Sequence, residues 1–375
     1  MSIVNTIEAE FDDSQYPIVI GKNILDQVDV LIGDKTKNKK VIIVSDTYFG
    51  PTTAKRVQGL LQNSGFEVFS YYMSAGKGNK NINEVLKIYG LMEENNFARD
   101  STLIAIGGGV IGDLAGFVSS TWLRGMNLVH IPTSLMSMVD SSVGGKVAIN
   151  FRRTINAIGN YYHPILNLMD LDFVDTLSDR DFYSGLAEVI KCGIIADDDF
   201  FESLKNNAAL IQKRDQQNVV QFISRALQIK IDHVRGDTRE GGKRLLLNYG
   251  HTLGHAIEIS TERHNAELYR HGEGVSIGIM AAAWIAEKHL NLPADLYQSY
   301  RDMFKQYHLP VFVDSQTQGF DRNKLIKACL SNVQKDKKRM DNRLRLILSP
   351  ECGQAGVYSD VPFALVEQAF DHIIR

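Results

Sequence analysis

The stretch Leu103-Ile-Ala-Ile-Gly-Gly-Gly-Val-Ile-Gly-Asp-Leu-Ala-Gly-Phe-Val118 decides the fold class. It opens on a short apolar run, the pattern of a strand buried on both faces of a parallel sheet. It turns through Gly107, Gly108 and Gly109 and continues as a helical stretch from Leu114. Glycines at such a turn let the backbone come close to an anionic group, and the N–H groups of the helix start attract phosphate. The spacing is not G-x-G-x-x-G, so this is not the usual dinucleotide fingerprint. On the glycines alone, a tight strand–helix turn is as good a reading.

Working outward, the runs 41–46, 128–131 and 165–169 read as further buried strands. Ile82, Val85, Leu86, Tyr89 and Met92 recur at helical spacing and mark one helix face. Strands alternating with helices imply an open parallel sheet covered on both faces. From about Ser184 the pattern becomes long and helical, over 185–195, 219–234, 252–261 and 274–288. A chain of 375 residues suits two domains. The expected architecture is an α/β domain with a parallel sheet over 1–180, followed by a mainly α-helical domain over 181–375. The cleft between them is the expected ligand site.

Apolar content of 44% and charged content of 23% are ordinary for a globular protein. A formal charge of −3 gives no case for nucleic-acid binding. Cys192, Cys329 and Cys352 are widely spaced and form no CxxC pair, so neither a disulfide framework nor a thiolate zinc site is expected. The N-terminus lacks the features of a signal peptide, and no run is long and apolar enough to span a membrane. A cytoplasmic enzyme is expected.

Two histidines, His251 and His255, stand at i and i+4 on one helical face, and His271-Gly-Glu273 follows a polar loop. Glu188 and Lys191 stand at i and i+3 in an otherwise apolar helix, where an acid and a base need partners or a task. Imidazole and carboxylate together suit Zn²⁺ or a similar ion with an open coordination position. A lone HxxxH can equally be a pair of surface histidines. The added His-Gly-Glu and the acid on the apolar helix favour a metal.

Several bases have the types that hold anions. Lys146 ends the Gly-rich Asp140-Ser-Ser-Val-Gly-Gly-Lys146, and Arg124 lies in Trp122-Leu-Arg-Gly125. Lys230, Arg244, Lys337 and Lys338 join them, with Asn248 beside His251. Singly each reads as a solvated charge. Beside a metal and a dinucleotide they suggest a substrate with more than one anionic group. The loop Ser74-Ala-Gly-Lys-Gly-Asn-Lys80 suits a diphosphate or a ribose edge, or is simply solvated, and Asp46 ends a strand where an acid can bind a ribose hydroxyl.

Taken together, Gly-Gly-Gly-Val-Ile-Gly-Asp at 107–113, Val-Asp-Ser-Ser-Val-Gly-Gly-Lys at 139–146, Gly-His-Thr-Leu-Gly-His at 250–255 and Asp-Lys-Lys at 336–338 resemble the 3-dehydroquinate synthase family of sugar-phosphate cyclases. The matching segments run in order from about residue 40 to 350. The resemblance implies NAD and a divalent metal, Zn²⁺ or Co²⁺, as cofactors. It implies Glu188, His251 and His271 as metal ligands and His255 as a substrate contact. It implies Asp46, Lys80, Gly108, Gly109, Val110, Asp113, Thr133, Ser134 and Lys146 at the cofactor, with Asp175 and Thr176 counted among them. Lys146, Asn156, Asn248, His255 and either Lys337 or Lys338 would hold the substrate phosphate. Lys230 and Arg244 would hold a substrate carboxylate, and Asp140 and Lys191 substrate hydroxyls. Arg124 would be offered across a homodimer interface.

The implied reaction converts 3-deoxy-D-arabino-heptulosonate 7-phosphate to 3-dehydroquinate and phosphate, on the shikimate route to aromatic amino acids. It runs by transient oxidation with NAD, phosphate elimination, re-reduction and intramolecular aldol closure, and so is a lyase reaction. This sequence departs from the family in two places. The usual Gly-Glu-x-x-Lys reads Gly76-Lys77-Gly-Asn-Lys80, which makes NADPH-type cofactors worth testing. The usual Gly-Lys-Asn reads Thr154-Ile155-Asn156, with Arg152 or Arg153 as candidates to restore the charge. Alternatives are a specialised cyclase acting on the amino analogue or on sedoheptulose 7-phosphate, a metal-dependent polyol dehydrogenase, and a relative that binds ligand without turnover.

Overall fold

A computed structural model describes residues 2–152, 154–262, 268–339 and 344–375, without the side chains of 2 and 336–339. Arg153, Lys337 and Lys338 therefore lie outside the described residues as side-chain candidates. The chain forms two compact units: Met1–Ser178 with Lys230–Arg239, and Asp179–Ile229 with Glu240–Arg375.

The first unit is built on strands β1 (Ser2–Glu10), β2 (Gln15–Lys22), β3 (Lys40–Asp46), β4 (Glu67–Met73), β5 (Thr102–Gly107), β6 (Asn127–Pro132), β7 (Lys146–Phe151), β8 (Thr154–Tyr161) and β9 (Leu166–Asp170). Seven of them make one sheet in the order β1-β2-β9-β6-β5-β3-β4. Only β1 runs antiparallel to its neighbour; the other pairs are parallel. Val41 to Val44, Leu103, Ile104 and Ile106 are fully buried, as central parallel strands require. The four strands expected from apolar runs are all present. The antiparallel β1–β2 edge, the opposite edge strand β4 and the separate β7–β8 hairpin are additions to that expectation.

The helix Ile82–Glu94 starts where the Asn81 side chain accepts from the Asn83 and Glu84 N–H groups. Its buried apolar face is Val85, Ile88 and Met92, one helical stripe. Leu86, expected on that face, is 58% exposed, because it lies about 100° around the helix from Val85. Lys146, expected in a loop, opens β7 directly after Gly144 and Gly145, which turn at φ 94° and 72°. The helix Gly109–Thr121 lies close on this hairpin: a Cβ at Gly116 would stand 2.3 Å from Val147 Cγ1.

The second unit is helical, as expected, with the hairpin β10 (Leu346–Glu351) and β11 (Gln354–Tyr358) added. Its helices include Asp179–Ala196, His251–Thr261 and His271–Leu290. Among the described residues no helix is long and apolar enough to cross a membrane.

Candidate metal and nucleotide sites

Three helices of the second unit approach one another through glycines. A Cβ at Gly272 would stand 1.8 Å from the Ser184 carbonyl oxygen. One at Gly278 would stand 2.1 Å from the Gly250 oxygen, and one at Gly254 2.6 Å from the Gly274 oxygen. No other residue type permits such approaches. The Gly272 N–H also donates to Ser184 Oγ at 3.1 Å. Glu188 sits one turn beyond Ser184 on the same face, so the contact that fixes Gly272 also brings His271 to Glu188.

Glu188 and Lys191 are both 2% exposed and form a buried ion pair through Glu188 Oε2. Glu188 Oε1 points instead at two imidazoles, 3.6 Å from His251 Nε2 and 3.5 Å from His271 Nε2, and has no hydrogen-bond partner. His251 Nδ1 lies 3.2 Å from the Tyr249 carbonyl oxygen. A carbonyl only accepts, so Nδ1 carries the proton and Nε2 turns its lone pair toward Glu188. Two buried acceptors then face each other, which is unfavourable unless a cation lies between them. The donor set therefore fits a divalent metal.

The electrostatics agree. Burial, and then the Lys191 charge, push His251 well below the ordinary imidazole value, so it is neutral and able to donate. Burial would raise Glu188, but Lys191, His251 and His271 together hold it well below the carboxylate range. Burial would lower His271, but Glu188 and Glu258 outweigh it and raise the group to about 10. Metal binding must therefore displace a proton from His271.

His255 is exposed, yet one nitrogen of each of His251, His255 and His271 lies within 4.8 Å of the others. A three-histidine set thus competes with Glu188, His251 and His271. We favour the set with Glu188, because its buried oxygen is otherwise unsatisfied while His255 faces solvent. Glu273, which favoured a metal in the sequence, is not in the cluster. It accepts from Arg180 Nε and Nη2, each at 2.7 Å, and from the Arg270 N–H at 2.7 Å. Two acidic residues were missed: Glu258, whose Oε1 is 3.4 Å from His271 Nδ1, and Glu240, which accepts from Asn248 Nδ2 at 2.7 Å. Glu258 was findable, since it stands at i+7 from His251. Arg244 is buried at 2% exposure.

In the first unit, Gly108 begins the helix Gly109–Thr121 and no side chain caps it. Gly107 and Pro132 are in register, and the Thr133 N–H donates to the Gly107 oxygen at 3.1 Å. The ends of β5 and β6 therefore bring Gly108, Gly109, Val110, Thr133 and Ser134 together. Uncapped N–H groups beside a glycine turn fit a diphosphate. Lys80 is buried and donates to Asp113 Oδ2 at 2.6 Å and to Asn156 Oδ1. Asp46 Oδ1 accepts from the Tyr48 and Phe49 N–H groups at 2.9 and 3.0 Å, which orients the carboxylate at the end of β3. Asp175 pairs with Lys22 at 3.0 Å, and the Thr176 hydroxyl donates to the Phe173 oxygen at 2.8 Å. Lys230 forms an ion pair with Asp140. Arg124 is exposed in a left-handed turn, at φ 69°. Arg152, at φ 54°, lies over the Phe151 ring.

The family model described as 3-dehydroquinate synthase N-terminal matches residues 70–184, and the one described as 3-dehydroquinate synthase C-terminal matches 185–339. A 3-dehydroquinate synthase of Shewanella sp. (strain MR-4) is 36% identical over 362 residues, 96% of this chain and 98% of that protein. A 2-deoxy-scyllo-inosose synthase solved with carbaglucose-6-phosphate, NAD⁺ and Co²⁺ superposes with a TM-score of 0.86 at 22% identity, covering 98% of this chain and 100% of that one. A 2-epi-5-epi-valiolone synthase from Streptomyces hygroscopicus subsp. jinggangensis 5008, with NAD⁺ and Zn²⁺ bound, gives 0.84 at 23% identity over 97% and 98%. These two structures establish likeness of fold.

Proposed function

We infer the activity from one premise: this chain belongs to the 3-dehydroquinate synthase family. It is a phosphate lyase that converts 3-deoxy-D-arabino-heptulosonate 7-phosphate to 3-dehydroquinate and phosphate, with NAD and a divalent metal as cofactors. The observation that carries this reading is the unsatisfied, buried Glu188 oxygen facing two imidazole nitrogens. When bound, a divalent ion held by Glu188, His251 and His271 would supply polarisation of a substrate hydroxyl, and NAD would supply a reversible hydride acceptor.

The protein groups have separable tasks in this proposal. Glu188, His251 and His271 hold the metal, and Lys191 keeps Glu188 ionised from its far oxygen. Lys230, oriented by Asp140, and Arg244 hold the substrate carboxylate. Lys146, Asn156, Asn248, His255 and Lys337 hold the phosphate, and Asp140 and Lys191 contact hydroxyls. Lys80, fixed between Asp113 and Asn156, sits with Asp46, Thr133, Ser134 and the 107–110 turn at the cofactor. Asp175 and Thr176 complete that set.

The test is incubation with the seven-carbon keto acid phosphate, its amino analogue, sedoheptulose 7-phosphate and glucose 6-phosphate, following phosphate and NADH together. The acid should release phosphate with no net NADH. Chelation should stop release, and Zn²⁺ or Co²⁺ should restore it. Stoichiometric NADH without phosphate would make the protein a dehydrogenase instead, and turnover of the neutral sugars alone would remove the acid substrate.

A cytoplasmic homodimer completes the proposal. Cys192, Cys329 and Cys352 form no disulfide, which suits a reducing compartment, and cell fractionation checks it. Exposed Leu123, Ile155, Ile158 and Tyr161, at 44%, 56%, 39% and 37%, lie in the turn that carries Arg124 and along β8. Light scattering should give twice the 42.0 kDa chain mass. Arg124→Ala should lower turnover without changing that mass. A monomer with full activity would end the dimer reading.

A further inference from the structure

We propose that Glu258 is a positioning residue that fixes the ring orientation and tautomer of His271 for metal binding; this rests on the metal site proposed above. Glu258 stands on the same face of its helix as His251 and His255, three residues beyond the latter. Its side chain is 15% exposed, and Oε1 lies 3.4 Å from His271 Nδ1. That oxygen has no hydrogen-bond partner elsewhere. The other nitrogen of the same ring, Nε2, faces Glu188 at 3.5 Å. The two nitrogens sit on opposite edges of the imidazole. Glu258 therefore acts from behind the ring, while Nε2 meets the ion.

The two proposed imidazole ligands are held in different ways. His251 has its Nδ1 proton directed by a backbone carbonyl, that of Tyr249, which no side-chain substitution removes. His271 depends on a removable side chain. The Arg180–Glu273 pair holds the start of the helix that begins at His271. A carboxylate that accepts from Nδ1–H leaves Nε2 as the lone-pair donor and strengthens it as a ligand.

Space for Glu258 is built into the neighbouring helix. A Cβ at Gly274 would stand 2.4 Å from Glu258 Oε1 and 2.5 Å from its Cγ. Gly274 thus clears the position from which the carboxylate reaches His271. An alanine there should displace Glu258 and reproduce its loss.

The experiment measures Co²⁺ affinity by chelator competition, together with the visible spectrum of bound Co²⁺. Parent, Glu258→Ala, Glu258→Gln and Gly274→Ala are compared. Glu258→Ala should weaken Co²⁺ about 10–100-fold and alter the spectrum. Glu258→Gln, whose amide oxygen still accepts from Nδ1–H, should recover part of that loss. Gly274→Ala should bind like Glu258→Ala. Unfolding of the metal-free variants is followed in parallel, and the Glu258 variants should still unfold cooperatively from a folded state. If the parent fails to bind Co²⁺, the metal site itself falls. If the parent binds and Glu258→Ala binds within about twofold of it, the site stands and the role of Glu258 is overturned. A Gln variant no better than Ala would overturn it too.

Discussion

Glu188→Gln should yield a folded but weakened protein that holds almost no metal and releases phosphate at least about 10³-fold more slowly. Glutamine keeps the shape of the side chain and removes its charge. Lys191 is then a buried cation without its carboxylate, and breaking a buried pair in this way costs about 3–5 kcal/mol. The metal loses its one anionic ligand. Several kcal/mol of transition-state stabilisation go with it, and each 1.36 kcal/mol is about tenfold in rate. Metal content, the denaturant midpoint and phosphate release should therefore all fall. His255→Ala is the counterpart: it should keep the metal and lose turnover. Should Glu188→Gln retain the ion while His255→Ala loses it, the ligands are the three histidines.

The pH response of the metal-free protein follows from His271, with its sign set by the raised value. A group whose folded pKa exceeds its unfolded pKa adds stability that is fully present at low pH. Between the ordinary imidazole value of 6.5 and about 10, that contribution fades as His271 loses its proton. Metal removes the effect by taking the proton's place.

Helical spacing made part of the site legible. The pairs Glu188/Lys191 and His251/His255 follow from periodicity, and the structure keeps both on one face. Glu258 obeys the same rule and could have been read from it. Glu273 misled, because adjacency to a ligand in sequence says nothing of direction. Residues i and i+2 on a helix point about 200° apart, so His271 and Glu273 serve different neighbours. Four of the six strands in parallel pairs, β3, β5, β6 and β9, were legible because full burial makes apolar runs; β2 and β4 were not read. The β1 edge and the β8 hairpin strand lack that signal; β8 is partly or fully exposed throughout. Lys80 and Asn156 meet across 76 positions, and no local rule connects them.

The glycines of the helix crossings were the least legible feature, because only the partner backbone gives them meaning. They also carry the second large effect. Gly272→Ala places a methyl group where the Ser184 carbonyl oxygen stands, 1.8 Å away. The obstacle is backbone in a buried helix, so no rotamer relieves it. One helix must shift, and His271 moves with it relative to Glu188. Overpacking of this kind costs about 1–3 kcal/mol, occasionally more. Gly272→Ala should therefore melt lower and lose metal, in the same samples where Gly90→Ala does neither. Gly90 lies inside the helix Ile82–Glu94, and a Cβ there would meet nothing within 4 Å. At that position alanine should stabilise by about 0.4–1 kcal/mol, since it narrows the unfolded ensemble and suits a helix. Opposite signs from one substitution at two helical glycines separate contact from propensity. If Gly272→Ala melts and binds metal like the parent, the helix approach through Ser184 does not set the position of His271.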